Sequence, residues 1–404
     1  MVAWEQRKVS DIVKFHKQGF YTKESYSENN KYFLLRGTEL TSNKLVLNDT
    51  PKINATEKDY NDFKVDKGDF LIVRSGTVGT YGIVYDDIKA IFGSYLINFR
   101  FDMGIVTNEF FGLFYQSNVF KNQLNKIIQK SSNVNINAEN IKSTTITLPY
   151  IEEQQKISSF FKNLDDSITL QERELELLKL TKKGFLQQLF TDNQQKFPNI
   201  RFANFHDEWQ QRKLGDTLLF LKSGLSRLFS NIDIGLPVVR ANNINNGILN
   251  MKNDVKYWYQ IDTKGAKNEN YYIHKNDILI NFINSEAKMG TAAVVREEPA
   301  RETIYTTNIL KAQVNKDYEH YFWFSLTQIN KYKNDIKLIT KPAVNQASFT
   351  TVDFKKLSYK FPNIDEQAKI GSFFKQLDET ILIQERKLEK LKRLKKAFLQ
   401  KMFI

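Results

Sequence analysis

Two stretches of this chain, 213 residues apart, are near copies of one another. LPYIEEQQKISSFFKNLDDSITLQERELELLKLTKKGFLQQLF from Leu148 aligns without a gap to FPNIDEQAKIGSFFKQLDETILIQERKLEKLKRLKKAFLQKMF from Phe361, with 26 identities in 43 columns. A shorter match links Trp4, Gln6, Arg7, Lys8 and Asp11 to Trp209, Gln211, Arg212, Lys213 and Asp216 at an offset of 205. An internal repeat constrains architecture more than any local propensity, because both copies must be satisfied by one structural solution. The order is globular (1–147), helical (148–192), globular (193–360) and helical (361–404).

Each long repeat has one apolar stripe stepping by four and three residues, which is heptad spacing. In the first copy it runs Ile157, Phe161, Leu164, Ile168, Gln171, Leu175, Leu178, Lys182, Phe185, Leu189. In the second it runs Ile370, Phe374, Leu377, Ile381, Gln384, Leu388, Leu391, Lys395, Phe398, Met402, with its polar interruptions at the same two steps. A polar residue such as Gln171 or Gln384 in a seam weakens packing but penalises slipped registers. Pro149 and Pro362 precede the helices, where a missing N–H costs nothing, and Glu152, Glu153, Asp365 and Glu366 suit the positive end of the dipole. A helix from about Glu153 to Phe190 extends roughly 57 Å and is not stable alone in water. Mutual antiparallel pairing of the two seams is the simpler solution; two surface helices, each packed on its own domain, are the alternative. Phe160 and Phe373 fall on an apolar flank outside the seam.

Lysine and arginine outnumber aspartate and glutamate 59 to 46, a formal charge of +13. The helical repeats hold only +3 of it, so the globular segments carry the surplus and a polyanionic partner is expected to touch them. Cysteine is absent, which excludes disulfide scaffolds, thiolate nucleophiles and cysteine-ligated metal centres. There is neither an apolar run of spanning length nor a hydrophobic stretch in Met1 to Lys8, so no membrane partner and a cytoplasmic location are expected.

The globular segments read as mixed strand and helix. FLIV from Phe70, IFGSYLINFRF from Ile91, LPVVR from Leu236 and DILINFI from Asp277 are β-rich, and Asn246-Gly247 between extended runs signals a hairpin. Lys67-Gly68-Asp69, a strand and Gly79-Thr80 parallel Lys275-Asn276-Asp277, a strand and Gly290-Thr291. The intervening loops differ completely, as expected if duplicated scaffolds grip different targets through their loops.

The openings WEQRKVSD from Trp4 and WQQRKLGD from Trp209, and the proline-acid-Glu-Gln entry into a long helix ending in a Lys-x-x-Leu-type tail, each occur twice. With them the chain resembles, over essentially its full length, the specificity subunit of type I DNA restriction-modification enzymes. The resemblance implies an α+β chain: two mixed α/β target recognition domains joined by two long antiparallel coiled-coil helices, a pseudo-twofold tandem repeat. Each domain would read one half of a split site in the major groove of double-stranded DNA. The helices would set the spacer and dock two methyltransferase (modification) subunits. It also implies that S-adenosylmethionine belongs to the modification subunits, that ATP and Mg belong to the restriction/translocase subunits, and that this chain needs no cofactor. FPNIRFANFHDEW before Trp209 has no counterpart before Trp4.

Catalytic motifs are missing. All seven prolines are isolated, so the Pro-Pro motif of amine methyltransferases is absent, and no glycine precedes a lysine, so there is no P-loop. Gly76, Gly79 and Gly82 do not have dinucleotide-binding spacing. Asp277, Glu286 and Lys288 could imitate a metal-dependent nuclease, a weaker alternative beside a coiled-coil adaptor protein. The histidines, His16, His206, His274 and His320, lack metal-ligand spacing and are read as making local hydrogen bonds.

Base edges are matched by Arg or Lys on guanine and Asn or Gln on adenine, with further contacts to phosphate. The candidates are Arg36, Lys44, Arg74, Ser75 and Thr77 in the first domain and Arg240, Asn242, Asn243, Asn284, Ser285, Lys288 and Lys341 in the second. Arg36 and Arg240 share a local pattern that also fits a structural role, and Asn242 to Asn246 could build a turn. Tyr257-Trp258-Tyr259 and Tyr271-Tyr272 read as core or sheet surface.

Overall fold

The computed structural model describes residues 4–23, 26–27, 29–41, 43–74, 80–128, 136–191, 195–245, 247–342 and 346–403. It divides into two compact units, residues 1–172 with 386–404, and residues 173–385. The long helices, Ile151–Gln188 and Ile364–Met402, each contribute residues to both units.

Both units repeat one strand topology. In the first, Glu5–Lys8 pairs antiparallel with Thr145–Leu148, the strand that feeds the central helix. In the second, Gln210–Lys213 pairs with Ser358–Phe361, which feeds the C-terminal helix. The tryptophan opening and the helix entry are therefore joined by a two-stranded sheet in each unit. A four-stranded antiparallel sheet follows, in the order Val13–Gln18, Leu96–Phe101, Phe70–Val73, Tyr81–Ile83 in the first unit. Leu218–Ser223, Ile309–Val314, Ile278–Asn281 and Ala292–Val294 repeat it in the second. A three-stranded sheet completes the frame around Tyr32–Leu35 or Gly235–Val239.

The run from Ile91, expected as one β-rich stretch, forms two strands in different sheets, Ala90–Phe92 and Leu96–Phe101, broken at Gly93. Gly93 donates its N–H to Leu35 O at 2.8 Å. A Cβ on Gly19 would lie 2.1 Å from the Gly93 carbonyl oxygen, and one on Gly224 would lie 2.0 Å from that of Tyr305. Only glycine permits this backbone approach, and it occurs at the same place in both units. Gly68 (φ 92°) and Asn276 (φ 74°) both take the left-handed turn before the strand, in agreement with the parallel between the two segments. The strands flanking the expected Asn246-Gly247 turn pair antiparallel, Ile244 with Leu249; Asn246 itself lies outside the described residues.

Within each unit the helices pair antiparallel. In the first, Asp165 meets Lys395 at 2.5 Å and Glu172 meets Lys392 at 2.6 Å. In the second, Asp378 meets Lys182 at 2.5 Å and Glu385 meets Lys179 at 2.6 Å. These are the same pairs with helix roles exchanged, since Asp165 aligns with Asp378 and Lys182 with Lys395. The lysines that interrupt the stripe are thus ion-pair partners of aspartates one helix away. Phe161, Ile168, Leu175, Leu189, Ile370, Phe374 and Ile381 are buried. Ile157, Leu164, Gln171, Leu178, Phe185, Leu377, Gln384, Leu388, Leu391 and Met402 are half-buried. Phe398 is 43% exposed and Leu399 beside it is buried, because a straight helix drifts by about 20° per heptad from a seven-residue repeat. Phe160 remains exposed and meets Phe398 edge-on, whereas Phe373 is partly covered by Phe185 and by Phe202 of the segment before Trp209.

Candidate nucleic-acid interface

Each globular part is fixed to its helix by the residues that looked like motifs. The amide of Gln154 donates to Ile105 O and Pro149 O, both at 2.9 Å, and accepts from the N–H of Thr107, the N-cap of helix Asn108–Gln116. Gln367 repeats this, donating to Pro362 O and accepting from Glu319, the N-cap of helix His320–Leu326. On this rigid base the loop after the three-stranded sheet's central strand is built the same way twice. The N–H of Arg36 donates to the Glu39 carboxylate at 2.7 Å, and that of Arg240 donates to the Asn243 amide oxygen at 2.9 Å.

The reading candidates divide on this geometry. The Arg36 guanidinium is engaged by Glu39 at 2.8 Å, and Arg240 by the Asp254 carboxylate at 2.5 Å and its carbonyl at 2.7 Å. Asn243 is buried, and its NH₂ donates to Asn250 O, so both ends of its amide hold the loop together. Asn242 beside it is exposed. In the second unit Arg240, Asn242 and Asn284 come together around one polar cleft of about 370 Å³, with Arg227, Asn308 and Gln346. Among the described residues the Arg240 Nε and the Asn284 NH₂ are buried without a hydrogen-bond partner, two donors available to an acceptor. Ser285 is exposed and Lys288 half-buried, on and beside the short 3₁₀ turn Glu286–Lys288. Lys341 is exposed and bridges Ser348 through its backbone, and Ser348 pairs with Ile283. These pairings bring two distant segments, around Ile283 and around Lys341 and Ser348, to one place.

Arg227, Asn308 and Gln346 carry no local signal in the sequence; they converge only because Leu225 bridges Thr306 and Ile283–Asn284 pairs with Ala347–Ser348. Arg227 is held by two bonds to Asp262, at 2.8 and 2.9 Å, which keep that carboxyl well below the usual carboxylate range. In the first unit Lys44 is exposed on a two-residue strand, and the Arg74 guanidinium reaches Ser94 O at 3.5 Å. Ser75 and Thr77 lie outside the described residues.

The nuclease alternative loses its acid. Asp277 is buried, accepts from the His274 N–H at 2.8 Å and from Gln313 at 2.9 Å, and lies 3.7 Å from Lys311. Burial pushes its carboxyl up, the opposite of a ready metal ligand. Asp69 does the same work in the first unit, bound to the Asp66 N–H, Asn98 and Arg100. A buried acid that closes the same turn twice is part of the scaffold. Among the described residues no three histidines or acids gather to hold a metal. His16, His274 and His320 each meet a neighbouring acid, at 3.4, 2.7 and 3.2 Å.

The sequence profile of the family "Type I restriction modification DNA specificity domain" matches residues 1–180 and again 206–393. The type I restriction enzyme MjaVIII specificity subunit of Methanocaldococcus jannaschii is 20% identical over 409 residues, covering 98% of this chain and 91% of that protein. The putative MjaX specificity subunit of the same organism is 28% identical over 211 residues, 52% of this chain and 49% of the relative. The crystal structure of the type I restriction-modification S subunit from M. genitalium superposes with a TM-score of 0.58 at 16% identity, covering 99% of this chain and 96% of that one. The chain belongs to the type I specificity-subunit family, whose members are named for recognition and not for catalysis. Neither the adaptor nor the nuclease alternative finds support in these relatives.

Proposed function

We propose that each globular part reads one half of a bipartite duplex DNA site in the major groove, that the paired helices set the spacer, and that two modification subunits dock on the helical region. The observation that carries this reading is the shared strand frame of the two units, with different side chains on equivalent loops: Gly37-Thr38-Glu39 after Arg36, and Ala241-Asn242-Asn243 after Arg240. A shared frame fixes where a loop meets DNA, and the loop fixes which base it accepts. Bond chemistry then belongs to the partner subunits, with S-adenosylmethionine in the modification subunits and ATP and Mg in the restriction subunits. Among the described residues no helix is long and apolar enough to cross a membrane; the DNA-reading role itself is what places the protein in the cytoplasm.

The test is exchange of residues 1–147 for the matching domain of another family member, followed by methylome sequencing. One half of the methylated motif should change and the other should persist. A motif altered in both halves, or in neither, would overturn the division of labour.

A further inference from the structure

Each unit holds a lysine-lined cleft between its globular part and the long helix, and equivalent residues build both. In the first unit about 710 Å³ lies between Lys392, Lys395 and Lys396 on the helix and Gln116, Asn118 and Lys121 on the domain. In the second about 320 Å³ lies between Lys179, Lys182 and Lys183 and Gln328, Asn330 and Lys333. The 213-residue offset carries the first helix lysines onto the second, and an offset of 212 does the same for the domain residues.

Two of the three helix lysines are neutralised in each case, by Glu172 and Asp165 or by Glu385 and Asp378. Lys396 and Lys121 in one cleft, and Lys183 and Lys333 in the other, have no acidic partner within 4.0 Å among the described residues. Partial desolvation, then the nearby Lys183 and Lys182, hold the Lys333 ammonium below the usual lysine range. Such crowding of cations is unfavourable until an anion enters. Donors are also unfilled. Among the described residues the Gln328 NH₂ is buried without a partner while its oxygen accepts from Lys182. Helix Asn330–Ile339 opens on this cleft, and its N-cap, Ile329, provides no side-chain acceptor. In the second cleft, uncompensated ammonium groups, an orphan amide and an uncapped helix start together fit a tetrahedral oxyanion; the first cleft shares the uncompensated lysines, while its Gln116 NH₂ donates to Tyr81 Oη and Gly112 O and Ser117 caps the Phe120 N–H.

We propose that each cleft binds a phosphodiester group of the DNA backbone. Nucleic acid is favoured over an acidic protein segment because the reading loop forms the opposite wall: Gly37, Thr38 and Asn43 follow Arg36 in the first cleft, and Gly247 follows Asn242 in the second. A phosphate held there would fix the register of the loop on the bases. The proposal rests on the DNA-reading function above.

The test uses the full chain with the double variants Lys183→Gln/Lys333→Gln and Lys121→Gln/Lys396→Gln, and Lys390→Gln as an exposed helix control, titrated with mixed-sequence duplex DNA at several salt concentrations. Each double variant should flatten the dependence of log K on log salt by about 0.9 for every phosphate no longer neutralised, roughly eightfold in affinity near 0.1 M salt. The control should match wild type, and thermal melting confirms that every variant is folded. Variants that keep the wild-type slope overturn the proposal, and do so in favour of an acidic protein partner if they lose co-purification with the modification subunits. A wild-type chain that binds no duplex at any salt overturns the DNA-reading function as well.

Discussion

The indole N–H of Trp209 donates to Glu366 at 3.2 Å, and Arg201 closes on the same carboxylate with two bonds of 2.7 Å each. Trp4 makes the equivalent bond to Glu153 at 3.3 Å, but there the acid is exposed and, among the described residues, no arginine joins it. Glu366 is fully buried. Removing one partner of a buried, hydrogen-bonded charge pair costs far more than removing an exposed one. Glu366→Ala should therefore destabilise the second unit by about 3–5 kcal/mol, and Glu153→Ala the first by about 1 kcal/mol or less. Urea unfolding with segment-resolved hydrogen exchange measures both.

Phe403 packs in the first unit against Trp4, Phe110 and Phe114, at ring distances of 6.3, 5.3 and 5.7 Å. Its counterpart Phe190 packs against Trp209 and Phe322 in the second. Phe403→Ala should cost about 3–5 kcal/mol in the first unit alone, despite its distance in sequence from residues 1–172. Proteolysis should begin within that unit; cleavage starting in residues 173–385 would contradict the assignment.

In the Arg240 loop, stability and recognition should separate. Asn243→Ala removes a buried group that satisfies Arg240 N–H and Asn250 O, for about 1–3 kcal/mol. Asn242→Ala should leave melting unchanged and relax base preference in one half of the methylated motif, which methylome sequencing of both variants would show.

Insertion of one helical turn near Leu178 should change the preferred spacer while leaving both half-sites intact. The relevant readout is the distance between the methylated half-motifs. An unaltered spacer would refute the helices as its ruler.

His320 supplies a pH dependence. Its imidazole is held below the ordinary value of 6.5 by burial, opposed by Glu319 and reinforced by Lys375 and Lys275. The unfolded chain thus binds the proton more readily than the folded one. Stability is fully present above pH 6.5 and declines as pH falls from there through the lower folded value. His320→Gln should flatten the midpoint of urea unfolding between about pH 5 and 7.5.

The helical repeat was legible because both seams carry the same heptads, down to polar interruptions at the same two steps; that Lys182 and Lys395 pair with Asp378 and Asp165 emerged only from the fold. Phe398 escaped because a strict seven-residue count ignores the drift that exposes it and buries Leu399. Gln154 and Gln367 were visible only as motif letters; their work as clamps depends on N-caps at Thr107 and Glu319, far away in sequence. Gly19 and Gly224 did carry a signal, aligned glycines at the 205-residue offset, although the backbone contact that requires them is a product of folding. The cleft of candidate side chains is the least legible feature, since Arg240, Asn284 and Gln346 become neighbours only through strand pairing.

The first unit is assembled from residues 1–172 and from 386–404, with the whole second unit encoded between them. On the ribosome, its aromatic core must therefore wait for some two hundred intervening residues before Leu399 and Phe403 arrive to close it. Synthesis order becomes a quality check: a chain terminated just before Leu399 can finish its second unit but not its first, leaving a product with an open core for proteases to find.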